Sequence, residues 1–289
     1  MIEKYYNGVI EQVAGGIGNV EHNSILVRYS NDFSIWDLES VNHYKDQTDI
    51  FFTCHEFSYN KIAEAYEPYL GLIRQMFHKY CSGTLEEFME ECDVYKLQRP
   101  VFESYFEKGF CERTEQILID EVEYEQERMR NSIVTMLQKL SEIRPVVIVL
   151  NRFQLASKST MQLSNSLLQV KNKNIGIVLG VNDVQSIPEF AHEEWDAICE
   201  SMDDRNMVYH IGNAGRNMEP DVMDYYSDYE SDDGYRKLNN LVYFLDFDQA
   251  DHHLSKIERR IKFDNFTISE KKHYQLLLLQ IMVSVLQRD

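Results

Sequence analysis

The stretch RPVVIVLNRFQLASKST, residues 144–160, places five apolar residues in succession, Val146 to Leu150, behind Pro145, and four of the five are β-branched. A short run that is apolar on both faces is the pattern of a strand buried inside a parallel sheet, because alternation appears only where one face meets water. Asn151 and Arg152 follow directly, at the carboxyl end of that strand, where an α/β protein places its ligands.

Four more segments carry the same β-branched and aromatic enrichment: SILVRY (24–29), DIFFTC (49–54), IGIVLG (175–180) and NMVYHIG (206–212). Helical patterns separate them, which predicts a three-layer α/β fold with a parallel sheet covered by helices on both faces. PYLGLIRQMFHKY predicts a helix with Pro68 at its first position and Leu70, Ile73, Met76 and Phe77 on one face. Residues 112–142, dense in Glu and Arg with apolar positions including Ile117, Val122, Met129, Ile133 and Leu140, predict a long surface helix or helix pair.

At 289 residues and 44% hydrophobic content the chain holds one large core or two modest ones. A net charge of -19 argues against nucleic-acid binding by this region, since that affinity depends on Lys and Arg neutralising phosphates. No leader-like start and no apolar run of the ~18 residues needed to span a bilayer is present, so the expectation is a cytoplasmic protein with no membrane partner. The five cysteines are odd in number and form no CxxC pair, so they read as reduced packing residues.

The texture changes at EPDVMDYYSDYESDDGY, with seven acidic side chains and no basic one. It reads as a solvated connector, or as a docking surface using Tyr225, Tyr226 and Tyr229. This divides the chain into a domain over 1–218, an acidic linker over 219–235 and a helical segment over 236–289.

In order and spacing, residues 3–183 resemble the P-loop domain of STAND-type signalling ATPases, relatives of AAA+ proteins. YYNGVIEQVAGGIGNVEHNSILVRY is similar to the family's first helix and strand, and FFTCHEFSYNKIAEAYEPYLGLIRQMF to its second strand and YxP helix. RPVVIVLNRFQLASKSTMQLSNSLL is similar to the Walker B strand with its next helix, and IGIVLGVND to the sensor strand.

The resemblance places the phosphate loop at residues 29–36, YSNDFSIW. A GxxxxGK[ST] loop needs glycines for close backbone approach, a lysine for the phosphates and a hydroxyl for magnesium. Here Tyr29, Ser34, Ile35 and Trp36 stand at those positions, and Asp32 adds a repelling charge. At the Walker B position Asn151 and Arg152 replace the two acids that would hold magnesium and activate water. Two halves of one site, roughly 115 residues apart, have both lost their chemistry, which implies a pseudo-ATPase with no cofactor expected. ATP or ADP held through backbone amides is the competing expectation, and an aromatic-walled small-molecule cleft at Tyr29 and Trp36 is a third. Arg152 reads either as a phosphate contact or as the partner of a neighbouring acid; Asn182 and Asp183 read as strand-end residues or as cleft lining.

Gly15, Gly16 and Gly18 follow no strand and precede no Lys-Ser/Thr, so they read as a helix-to-strand turn. His192-Glu193-Glu194-Trp195 is not HExxH, and the adjacent His252 and His253 point away from each other on a helix and make a poor metal pair. No GxSxG elbow is present.

Residues 241–257 resemble one tetratricopeptide-type helical hairpin, with Phe247, Ala250 and Leu254 at interlocking positions. The apolar last helix, EKKHYQLLLLQIMVSVLQRD, implies a continuing chain or a docked end. The resemblance as a whole implies a non-catalytic regulatory or scaffolding module, with a protein partner, a fused output domain or self-association.

Overall fold

The computed structural model describes residues 2–20, 23–30, 33–45, 49–58, 61–111, 122–183, 187, 191–203, 207–211, 231–263 and 269–286. Asp32, Ile117, Tyr225, Tyr226 and Tyr229, with most of the acidic stretch, lie outside these residues.

Five strands form one all-parallel sheet: β1 (Ser24–Tyr29), β2 (Phe51–Glu56), β3 (Val146–Asn151), β4 (Ile175–Asn182) and β5 (Val208–Ile211), in the order β2-β3-β4-β1-β5. Every residue of β3 and β4 is buried, as their continuous apolar runs require. β2 begins and ends two residues later than its apolar run, because the Phe51 amide donates to the Pro145 carbonyl and pairing with β3 carries the strand on through His55 and Glu56. Hydrogen-bond register sets that boundary, whereas hydrophobicity alone places it earlier.

Helix α1 (Ile2–Gly16) and α2 (Glu39–Lys45) lie on one face, where Tyr6, Val9, Ile10, Val13 and Val41 meet Ile25, Val27, Val147, Val149 and Val178. The other face carries α3 (Tyr69–Tyr80), α4 (Leu85–Glu91), α5 (Arg99–Lys108), α6 (Val122–Ile143), α7 (Lys158–Gln169) and α8 (His192–Asp203) over Leu26, Ile148, Leu150, Ile177 and Leu179. The alternation of odd and even strand residues between the two cores is the period-two pleat of a sheet covered on both sides.

The chain leaves β1 over the α2 face to reach β2 at the far edge. It returns through β3 and β4 and passes β1 to β5 with all its helices on the opposite face. Right-handed crossovers require this change of face when the direction reverses.

α3 starts at Tyr69, one residue past Pro68, and buries Leu70, Ile73, Met76 and Phe77. Fully burying such a side chain contributes about 1.5–3 kcal/mol. α4 and α5 were not legible as separate helices. A capping box, Thr84 with Glu87, starts α4, and Gly109 at φ 80 ends α5. Gly15 and Gly16 close α1, and Gly18, at φ 83, makes the turn towards β1.

Three further helices follow: α9 (Asp232–Tyr243), α10 (Phe247–Phe263) and α11 (Glu270–Leu286). Residues 232–235 of the expected linker are therefore helical, capped by Ser231, whose hydroxyl accepts the Gly234 amide at 2.8 Å. The break between α9 and α10 falls at residues 244–246, with Leu245 at φ 65, so Phe247, Ala250 and Leu254 share one helix, all buried. Leu238, Leu241, Phe244, Phe247 and Leu254 belong to the same core as α3, α5, α6 and α7.

The junction is also polar: Asp246 accepts the Ser159 amide at 2.9 Å and Gln249 the Lys158 amide at 3.2 Å, while Ser157 caps the Thr160 amide at 3.1 Å. First-turn amides of α7, which have no partner inside their own helix, are thus satisfied from the chain around α10, and a carboxylate there suits the positive end of the helix dipole. α11 buries Leu279 and Val283 and leaves Leu277 and Ile281 at 42% and 58% exposure. No helix among the described residues is long and apolar enough to cross a membrane.

Candidate functional site at the carboxyl edge of the sheet

β1 and β4 are neighbours whose outgoing connections run over opposite faces, so their carboxyl ends form the topological switch point where open α/β sheets bind ligands. Four sequence-predicted residues lie at these strand ends: Tyr29 ends β1, Asn151 ends β3, Asn182 ends β4 and Asp183 follows it.

Side chains of this chain fill the crevice there. Tyr29 is fully buried, and its hydroxyl donates to Asn151 Oδ1 at 2.7 Å. Tyr6 reaches in from α1 and Phe33 from the loop, and the three rings meet edge-to-face with centroids 4.9–6.4 Å apart. Gly180 makes room for this: a Cβ there would stand 2.2 Å from Tyr6 Oη and 2.7 Å from Asn151 Oδ1. Burial, reinforced by Tyr29, Glu56 and Cys54, pushes the Tyr6 hydroxyl well above its ordinary pKa, so it stays protonated.

The loop after β1 is closed from the other side by Glu56. Its Oε2 accepts the Ile35 amide at 3.1 Å and the Ser34 hydroxyl at 3.4 Å, and its Oε1 pairs with Arg152 at 3.1 Å. Ser34 Oγ takes the Trp36 amide at 3.3 Å, and the Asp37 and Leu38 amides bond back to the Ser34 and Ile35 carbonyls. Four successive backbone donors, from Ile35 to Leu38, are therefore already used within the protein. Arg152, in the left-handed region at φ 52, serves the neighbouring acid, the plainer of its two expected roles.

Trp36 is 46% exposed with Lys45 Nζ 4.4 Å over its ring, while Tyr29 is in the core, so the structure does not bring the two together as walls of one cleft. The Asn182 amide donates to Gln154 Oε1 at 3.3 Å, and Asp183 pairs with Arg28 at 3.0 Å. Sequence reasoning missed Glu56, Tyr6 and Phe33. The signal for Glu56 was a His-Glu pair ending an otherwise apolar strand; Tyr6 carried none, because nothing in α1 says which strand it crosses.

Burial pushes the Cys54 and Cys199 thiols up to about 11 and Cys92 up to about 12, opposite to an activated nucleophile. His252 and His253 meet edge-on with centroids 5.5 Å apart, and burial holds His253 well below its ordinary pKa. No group of three His, Cys, Asp or Glu suited to a metal ion occurs among the described residues.

Glu56→Gln removes the charge from the Arg152 pair and weakens the Ile35 bond. It is expected to cost about 1–3 kcal/mol in urea unfolding and to speed proteolysis within 33–38, since breaking a charge-assisted bond leaves its partner under-satisfied. An unchanged midpoint and cleavage pattern would show that Glu56 does not hold the loop.

Neither known protein families nor curated proteins match this chain.

Proposed function

We propose that this chain is a non-catalytic regulatory or scaffolding module of a cytosolic signalling protein. In this reading it is a P-loop-like domain that has lost its ATPase chemistry and serves protein–protein contact, self-association or an attached output domain. The observation that carries this reading is the self-satisfied loop after β1. A polyphosphate cradle requires unpaired backbone N–H groups converging on an anion, with a lysine and a magnesium-binding hydroxyl. Here the donors from Ile35 to Leu38 already have acceptors, and Glu56 places a carboxylate on two of the loop's groups. The competing idea, nucleotide held through backbone amides, needs those same donors.

The switch point at the end of β1 is where the STAND-type resemblance puts the phosphate loop, which supports the family reading. Aromatic rings occupying that crevice support a fold kept for its surface.

Thermal unfolding with millimolar ATP, ADP or GTP plus magnesium tests the proposal. A ligand at ~100 times its dissociation constant adds about 2.7 kcal/mol. The expected result is no shift with any of the three nucleotides; a clear shift would overturn the pseudo-ATPase reading and restore the nucleotide sensor.

A further inference from the structure

One face of α6 buries Met129, Ile133, Met136, Leu137 and Leu140, and the face beside it is the floor of a polar groove. Two open cavities, of about 530 and 500 Å³, share Thr135 in their lining. The connection from α4 to α5 walls the first, and the connection from α7 to β4 walls the second. The floor runs from Arg128 to Glu142. At 1.5 Å per helical residue that is about 21 Å, the length of about six residues of extended chain.

The groove is basic in a chain whose net charge is -19. Asp93 and Glu142 are the carboxylates in its lining, against Lys96, Arg99, Arg128, Lys139, Lys171 and Lys173. Arg99, Arg128 and Lys139 have acids of their own: Glu90 at 3.2 Å, Glu125 at 3.0 Å and Glu91 at 3.5 Å. Lys96, Lys171 and Lys173 form no ion pair among the described residues. Lys96 belongs to the first cavity and the other two to the second, so unpaired cations stand at both ends. Between them Ser132, only 6% exposed, lines the floor with a hydroxyl that has no hydrogen-bond partner among the described residues. The side-chain amides of Asn131, Gln138 and Asn174 are unbonded there too. Polar groups this well sheltered ordinarily have partners, so a nearly buried hydroxyl facing a groove points to one supplied from outside.

We propose that this groove binds an extended acidic segment of a partner protein. Its carboxylates pair with Lys96 at one end and with Lys171 and Lys173 at the other, and its main chain bonds to Ser132 and the amides between. The inference rests on the protein-contact part of the reading above and names the partner's chemistry. A single phosphate would reach one end only. A nucleic-acid strand carries a charge on every residue and would run on over the acidic surface of the chain, whereas a short peptide ends its charge where the groove ends.

The fluorescein-labelled peptide Glu-Glu-Ser-Ser-Glu-Glu, titrated with the full chain at low salt, reads binding by anisotropy. The expected result is a saturable rise that salt weakens, and no rise with Gln-Gln-Ser-Ser-Gln-Gln. Lys96→Glu and Lys171→Glu should each weaken binding roughly threefold to tenfold, and Ser132→Ala about twofold to threefold. Lys4→Glu, which makes the same charge change on α1 across the sheet, should stay within about twofold. No saturable binding, equal binding of the uncharged peptide, or equal weakening by all three lysine substitutions overturns the proposal. So does a labelled thymidine hexanucleotide that binds more tightly than the peptide through the same lysines. Failure here with no nucleotide-induced thermal shift strikes the groove alone; a nucleotide shift with peptide binding intact strikes the pseudo-ATPase reading and leaves the groove in place.

Discussion

Gly180→Val is expected to destabilise the protein by about 3–5 kcal/mol, a large part of the roughly 5–15 kcal/mol by which domains are stable, read as a lowered midpoint in urea unfolding. Gly180 lies in a central strand whose neighbours β1 and β3 fix its backbone, and the atoms an added Cβ would meet are Tyr6 Oη at 2.2 Å, Asn151 Oδ1 at 2.7 Å and Tyr6 Cζ at 3.0 Å. Tyr6 cannot swing away, since its ring is packed against Tyr29 and Phe33.

The hydroxyl at the centre of this contact has no hydrogen-bond partner among the described residues, although it is fully buried. Tyr6→Phe should therefore be neutral or stabilising by up to about 1 kcal/mol, because it removes a desolvated group that nothing satisfies. Combined with Gly180→Ala it should recover about 1–2 kcal/mol of the alanine variant's loss, a coupling that a double-mutant cycle in urea measures directly. Additive effects would mean that the hydroxyl is not what excludes a side chain at position 180.

Phe244→Ala is expected to cost about 3–5 kcal/mol, the usual range for deleting a fully buried phenylalanine. Phe244 stands at the break between α9 and α10 and packs on Tyr66, Phe102 and Tyr105 with centroids 5.6–6.1 Å apart. Those rings come from the loop after β2 and from α5, so this one side chain ties the carboxyl-terminal helices to the sheet's main core. Both tryptophans, Trp36 and Trp195, lie outside the three carboxyl-terminal helices. If the shared core makes one cooperative unit, their fluorescence and the far-ultraviolet circular dichroism should lose the same stability together. A fluorescence transition that stays in place while helicity is lost earlier would show that the helices unfold by themselves.

The sequence by itself determined the sheet. Val146 to Leu150 and Ile175 to Gly180 are apolar on both faces, and only a strand covered on both sides accommodates such runs. The helix after Pro68 was legible for the same kind of reason, a local period that matches one buried face.

What only the tertiary structure decided involves partners far apart in the chain. Glu56 became the clasp of the β1 loop because register with β3 prolongs β2 to that residue and brings it to Arg152. Tyr6 became a wall of the crevice because α1 crosses β4 at a glycine. The helical region that reads as a separate tail is joined to the body through Phe244, Asp246 and Asn240, whose partners lie 87 to 176 residues away for the two polar ones. Periodicity and composition describe what a segment prefers over a few turns. Which distant carbonyl, ring or carboxylate it meets follows from the order of the strands and the side of the sheet each crossover takes, and that order is settled only when the whole chain is packed.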